Sequence, residues 1–390
     1  MKGRSFSTQI CYHIAMKIYR ISFFDNFRCL SKNCPDTCCK GWIIPLDDDA
    51  LSLYHSQSGL LLLRLLLTER KSDGIVCFNK NSRTCPHLTA DKLCYLQKKH
   101  GEEFLCTACR EYPRLYSNYK YFAKECLDLS CPVSSRLFIN NIDNLSYEII
   151  EDEISYELTV TNDDENFLNS LHMWEGKICD YISENKFNLN IAFANIMNFA
   201  RITQNSYTKN PSDDFLNKDF TFDITLPFNI DILTTDRIIN SELFHKKIKI
   251  TDPFLYKLCR LYDKKFNNLS ISDGNNLLSE LTKLIETYYG NIHSLLSSYC
   301  SYIIKCTYLN TYEDYSFIKN LAMPFIHTHL LAIFIFVYAD KYKKLDDDDL
   351  IKIITAYNKR ARHNISISDK MFNEVYRLYE KNNPTEIPEF

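Results

Sequence analysis

The sequence predicts a mainly α-helical protein in which a cysteine-rich, metal-binding N-terminal region is followed by a helical domain. Three observations carry this expectation. Twelve of the 16 cysteines precede residue 132. Apolar residues recur at helical spacing through the last two thirds of the chain. Only eight glycines occur and none forms GxG, so the glycine-rich turn of a doubly wound nucleotide-binding sheet is missing. The composition break after Cys131 places the boundary at residues 139/140, giving a cysteine-rich region at 1–139 and a helical one at 140–390. At 390 residues and 45% hydrophobic, the chain has enough apolar surface for a large core.

In chain order, residues 51–67 read as an apolar helix broken at Gly59, and 97–112 as mixed helix and loop ending before Pro113. Residues 139–164, acidic and partly β-branched, read as a linker or the start of the second domain. Helical spacing returns at 167–182, and 206–226 reads as a loop around Pro211. Leu277, Leu281, Leu284, Tyr288, Ile292, Leu295, Tyr299 and Ile303 form one stripe over 276–304. Further helices are expected at 351–361 and 371–379. Residues 321–339 carry no formal charge across 19 positions, close to a membrane-spanning length. Pro324, His327, Thr328 and His329 interrupt the first half, so a buried helix is favoured and no membrane is expected. The two histidines, two residues apart, point to different sides of a helix and read as polar partners in a core rather than metal ligands.

The chemistry lies in the cysteines. Cys29, Cys34, Cys38 and Cys39 fall within eleven residues, and Cys85, Cys94, Cys106, Cys109, Cys126 and Cys131 follow. The N-terminus lacks the apolar run of an export signal, which predicts a cytoplasmic protein. In that compartment clustered thiols bind metal more often than they pair as disulfides. Thiolates select zinc, Cu(I) or iron–sulfur clusters. Cys106 and Cys109 supply half of a zinc-ribbon spacing, no second CxxC completes it, and His87 and His100 sit at no recognised offset; spacing alone leaves zinc and iron–sulfur open. Vicinal Cys38 and Cys39, if extended, would point to opposite faces, one ligating and one packing, or each serving a different centre. The net charge of −3 gives no global basic footprint for nucleic acid. The segment through Cys131 carries an excess of basic residues and the remainder an acidic excess.

The order of motifs resembles the flagellin lysine-N-methylases, within the CxxCxxCC cysteine-cluster superfamily. The matching residues are Phe27 to Cys29; Cys34, Pro35, Asp36, Thr37, Cys38 and Cys39; Gly41, Trp42 and Asp47; Cys85 to Leu88; Leu93 and Cys94; Gly101; Cys109, Arg110, Glu111, Tyr112, Pro113 and Arg114; and Leu129 to Pro132. A weaker echo lies at Tyr357 to Asn364. The resemblance implies S-adenosylmethionine-dependent methylation of flagellin lysines, with an iron–sulfur cluster, 4Fe–4S in type, in the cysteine region and zinc as the alternative. The implied ligand positions are Cys29, Cys34, Cys38, Cys39, Cys85, Cys94, Cys109 and Cys131. Cys11, Cys77, Cys106 and Cys126 fall outside the motifs, so the set is not unique. Beside the cysteines, Arg110, Tyr112 and Arg114 are the candidate cofactor-binding residues. Arg110 has the fork geometry to hold a carboxylate bidentately, and its alternative partner is Glu111. Trp42 and Asp47 read as structural.

A lysine amine of ordinary pKa near 10.4 is only about one part in 2,500 neutral at pH 7, a cost on the order of 4–5 kcal/mol. Once neutral, the amine is a competent nucleophile, so polar methyl transfer is preferred to a radical path. The helical region would engage the protein substrate, with Arg360, Arg362 and His363 at its edge or as a solvated basic helix end. The competing function is a non-enzymatic zinc- or iron–sulfur-binding protein, a metal carrier or binding module.

Overall fold

The computed structural model describes residues 15–72, 74–78, 84–154, 158–209, 228 and 230–382. The first strand, β1 (Ala15–Ile21), leads into an irregular stretch and two short helices, α1 (Asp48–His55) and α2 (Gly59–Thr68), parted where Gly59 takes φ +60°. A small hairpin follows, β2 (Arg70–Ser72) with β3 (Ile75–Cys77), then α3 (Tyr95–His100), α4 (Thr107–Glu111), β4 (Arg114–Asn118), β5 (Phe122–Leu127), α5 (Pro132–Ile139) and β6 (Tyr147–Glu153). The remainder is helical: α6 (Glu165–Glu184), α7 (Leu189–Lys209), α8 (Ile232–Ile239), α9 (Glu242–Thr251), α10 (Pro253–Phe266), α11 (Ile271–Tyr288) and α12 (Ile292–Thr307). α13 (Thr311–Asp314), α14 (Phe317–Tyr342) and α15 (Asp347–Tyr357) follow, then a π-helical turn at Asn358–Arg362 and α16 (Ile365–Asn382). The mainly α expectation holds.

A four-stranded sheet in the order β4-β5-β1-β6 was not foreseen. β1 runs parallel to β5, with Ile18 opposite Ala123, and antiparallel to β6, with Ile18 opposite Ile150. Residues 139–164 are therefore not a linker: β6 closes one edge of a sheet whose other strands come from the front of the chain. The side chains of β6 alternate, Tyr147, Ile149 and Glu151 on one face and Glu148, Ile150 and Asp152 on the other, with neither face apolar; pairing with β1 holds the strand. The stripe at 276–304 also needs correction. It is interrupted between Tyr288 and Ile292, where Gly290 lets the chain turn, and its apolar residues line two helices. The loop expected at 206–226 falls at α7's last residues and otherwise outside the described residues.

Helices start where short polar side chains can accept the first free backbone N–H groups. Asp164, Asp231, Ser241, Asp252, Ser270 and Asp346 all do so. The long helix α14 is apolar enough to cross a membrane by length and composition, but 83% of its most apolar window is buried within the protein. It packs against α7, α10, α11, α12, α15 and α16, the buried-helix alternative. His327 bonds the Tyr357 hydroxyl at 2.8 Å and His329 the Thr235 hydroxyl at 2.8 Å, so both serve as polar partners within the core. A separate smaller core under α1 and α2 joins Ile44, Leu46, Tyr54, Leu65 and Phe104 to Cys39, Cys85 and Cys106.

Burial makes the helical core acid-sensitive. Desolvation pushes His172 and His329 down to about 4 and His327 to about 3, the last helped by Arg362 and His363. These rings are neutral in the folded chain but protonate near 6.5 when unfolded. The stability they permit is complete above pH 6.5 and is lost as pH falls through that value toward 4. A urea midpoint followed from pH 7.5 to 4.5 should decline steeply below 6.5 and less so in His329→Gln.

Candidate metal centre

The loop after β1 carries Cys29, Cys34, Cys38 and Cys39. Cys38 and Cys39 lie in a turn rather than an extended segment. The two side chains interact with each other, and the extended geometry that would send them to opposite faces is not adopted. Trp42 pins the turn by donating from Nε1 to the Cys38 carbonyl at 2.6 Å. The Cys39 thiol also interacts with that of Cys85, and the two backbones meet through Cys85 N–H to Cys39 carbonyl at 2.7 Å. Cys94 is brought close by a bridge between its residue and Leu88.

A second thiol pair comes from α4, where Cys106 stands at the N-cap and Cys109 one turn in, with Cys109 N–H on the Cys106 carbonyl at 3.0 Å. Their thiols interact with each other. Asp47 locks this pair in place: its carboxylate caps α1 through Ala50 N–H at 2.9 Å and reaches Thr107 N–H at 2.7 Å. Asp47 is thus a structural residue. Cys109 interacts electrostatically with Cys106, Cys38 and Cys39, which puts the loop pair and the helix pair in one neighbourhood. Cys106, outside the recognised motifs, belongs to it; its CxxC spacing with Cys109 was the available signal.

The other expected ligands lie to one side. Cys34 interacts electrostatically with Cys29 and Cys38, and Cys131 with Cys34. Cys77 lies in the β2–β3 hairpin, opposite Arg70. Cys126 lies between sheet and helices, where it interacts with Cys306. Among the described residues, no three His, Cys, Asp or Glu side chains close around one metal-ion position; the thiols gather in pairs. They are chemically suited to a soft metal all the same. The bond to Cys39 and burial raise Cys38 far above an ordinary thiol. At Cys39 the bond from Cys38 lowers the pKa, but the bond with Cys85 and burial carry it to about 12. A bound metal removes such protons outright.

The C-terminal turn closes over this loop. Lys359, only 4% exposed at its side chain, bonds the Asp36 carboxylate at 2.6 Å and the Thr37 carbonyl. Arg360 donates to the Lys40 carbonyl at 3.3 Å. Its guanidinium fills the space beside Gly41, where an added Cβ would fall 0.9 Å from Nη1 and φ is +92°; that is why the position is glycine. Arg362 pairs with Asp128 at 3.4 Å, and His363 with the same carboxylate at 2.7 Å. The reading of this segment as a solvated basic helix end is therefore overturned: its charges are spent on the cysteine loop and on the segment before Cys131. Lys359→Met should free residues 36–40, seen as faster amide exchange there and faster alkylation of Cys38, with the α14 core unchanged.

The residues beside Cys109 are already engaged. Arg110 pairs weakly with Glu111 at 3.2 Å and Thr107 at 3.3 Å and is 42% exposed at its side chain. Tyr112 stacks on Trp42 with centroids 5.7 Å apart, and its hydroxyl meets that of Ser130 at 3.0 Å. Arg114 lies over the Phe27 ring at 5.0 Å. Tyr112 and Arg114 thus brace the site through packing, and Arg110 alone of the three has an exposed, loosely held charge.

Comparison with known proteins places this geometry. Over 137 residues the chain is 28% identical to the flagellar biosynthetic protein FliU of Salmonella muenchen, covering 32% of this chain and 78% of that protein. It is also 28% identical over 137 residues to the lysine-N-methylases of Salmonella choleraesuis and Salmonella typhimurium, covering 32% of this chain. The match spans 33% of the length of each of those two enzymes. No protein-family profile matches the chain, and no solved structure does. The resemblance to the flagellin lysine-N-methylases that the cysteine motifs carry is thus borne out over about a third of the chain.

Proposed function

We propose that this protein is an S-adenosylmethionine-dependent protein-lysine N-methyltransferase acting on flagellin, with an iron–sulfur cluster in its cysteine region. The observation that carries the activity is the similarity to two lysine-N-methylases, and the similarity to a flagellar biosynthetic protein supports the substrate. The pairwise thiols support a cluster over a single zinc ion. One tetrahedral zinc needs its four donors around one point at about 2.3 Å, whereas a cluster spreads its thiolate bonds over several irons. Cys38, Cys39, Cys85, Cys106 and Cys109 are the principal ligand candidates, with Cys94 beside them and Cys29, Cys34 and Cys131 on the outer side. The cluster either holds the cofactor's amino-acid end or folds the domain.

S-adenosylmethionine supplies an electrophilic methyl group on a sulfonium. This chain's part is to orient that donor and to deliver a neutral amine. Arg110 is the residue proposed to hold the donor's carboxylate, exchanging its weak contact with Glu111 for a bidentate one. Arg110→Ala should leave iron content unchanged and weaken S-adenosylmethionine binding about tenfold or more, measured by isothermal titration; unchanged affinity would make Arg110 structural. The activity is tested by mass spectrometry of purified flagellin after incubation with the anaerobically prepared protein and S-adenosylmethionine. Methylated lysines are expected. An unmodified flagellin beside an iron-loaded protein would favour the non-enzymatic metal protein instead.

A further inference from the structure

We propose that the outward face of α2 is the docking surface for a helical segment of the protein substrate, apolar along one side and acidic at one end. The inference rests on the lysine-methylation reading and concerns how that substrate is held. α2 carries seven leucines in ten residues, with Arg64 its one charge. With about 3.6 residues per turn, the leucines fall on two opposite faces. Leu61 and Leu65 turn inward, onto the small core that also holds Cys39, Cys85 and Cys106. Leu60, Leu63, Leu66 and Leu67 turn outward and are 86%, 52%, 48% and 63% exposed. A helix that is apolar all round is ordinarily buried all round; here one face is covered and the other is bare. Positions 60, 63 and 67 follow the spacing by which one helix anchors on another, and 66 widens the stripe.

Shape and size select the occupant. The face is a ridge on one convex helix, which seats in the groove between side-chain rows of a second helix. Four such leucines present on the order of a few hundred Å², about the most that a monomer leaves bare. A stable homodimer buries about 800 Å² on each partner, so this face is too small to hold two copies together. It suits a contact that is made and released at each turnover.

Charge gives the contact a direction. At the C-terminal end of the stripe Arg70 and Lys71 are both exposed. Arg70 folds back over the helix end, donating to the Leu67 and Glu69 carbonyls at 2.6 and 2.7 Å. The neighbouring acid, Glu69, is engaged by His55 at 3.0 Å, and Arg64 lies over the Tyr95 ring at 3.9 Å. This end is therefore positive and complements an acidic residue at the end of the docked helix. The position also fits the reaction. The inner face of α2 shares its core with the thiols, so a segment docked on the outer face lies roughly one helix diameter, about 10 Å, beyond that core.

The double change Leu63→Gln with Leu67→Gln keeps good helix formers in α2 and removes no buried contact. With flagellin as substrate it should raise KM about tenfold, with kcat, iron content and the urea midpoint unchanged; a merely structural role would move the last two. Lys71→Glu should raise KM about threefold, an effect that shrinks as salt is added. Fluorescence anisotropy of labelled flagellin should rank the parent and both variants in the same order without requiring turnover. Unchanged KM in either variant would overturn the proposal and leave the methylation reading intact. So would a parent protein that sediments as a dimer, or floats with anionic lipid vesicles, and loses that association in the leucine variant. A parent that binds flagellin through these leucines but methylates none of its lysines would sink the methylation reading alone, and one that does neither would overturn both.

Discussion

Serine at Cys38, Cys39 or Cys109 is expected to strip the protein of iron and to loosen its front third. The thiols of the loop and of α4 interact electrostatically, and little apolar core supports them beyond the small cluster under α1 and α2. Where a site forms only in the folded chain, metal-binding energy is folding energy, roughly 10–16 kcal/mol for structural zinc in small domains. Removing one ligand should therefore cost a large part of a typical domain's margin of about 5–15 kcal/mol. Cys179, Cys259 and Cys300 are buried in the helical core. Serine there should retain full iron and cost only about 1–3 kcal/mol for a buried hydroxyl. Iron analysis and limited proteolysis of the two groups make the comparison; full iron in all three front variants would defeat it.

The second large effect is expected at Lys124→Met. Lys124 and Glu175 form an ion pair at 2.6 Å with side chains 4% and 1% exposed. It joins β5 to α6, with Tyr147 of β6 also bonding Glu175 at 3.1 Å and Lys124 donating to the Lys305 carbonyl of α12. Breaking one side of such a pair leaves an uncompensated buried charge and costs about 3–5 kcal/mol. The double change Lys124→Met with Glu175→Leu removes both charges and should recover much of that loss. Urea midpoints of the single and double variants measure the difference; equal midpoints for the single variant and the parent would show that water reaches Glu175.

The same network explains what the sequence could and could not disclose. Cys34, Cys38, Cys39 and Cys109 are legible because thiols at short spacing are uncommon outside metal sites, α6 and α16 because their apolar residues recur at helical spacing, and α14 because its apolar run is long and uncharged. The sheet is not legible. β1 pairs with β5 and β6, each more than a hundred residues away, and no local pattern specifies such partners. β6 is further disguised by four acidic residues in seven, tolerable at an edge strand. The arrangement of Cys38 and Cys39 is not legible because spacing does not say whether the chain there is extended or, as Trp42 and Gly41 help to make it, a turn. The role of Lys359 and Arg360 was hidden for a different reason. Basic residues at a helix end ordinarily face solvent, and only the fold brings them onto Asp36, Thr37 and Lys40, more than three hundred residues earlier. Cys106 carried a readable CxxC signal, but not one from which its pairing with Cys109 opposite Cys38 and Cys39 could be inferred.

The most direct test of the central claim, that these paired thiols beneath the C-terminal turn hold an iron–sulfur cluster, is metal and acid-labile sulfide analysis of the anaerobically purified full-length protein, read beside its absorption spectrum. Iron and sulfide in equal amounts, with a broad band near 400 nm that is lost in Cys39→Ser, is the predicted result. A colourless protein loaded with zinc and free of sulfide would contradict it.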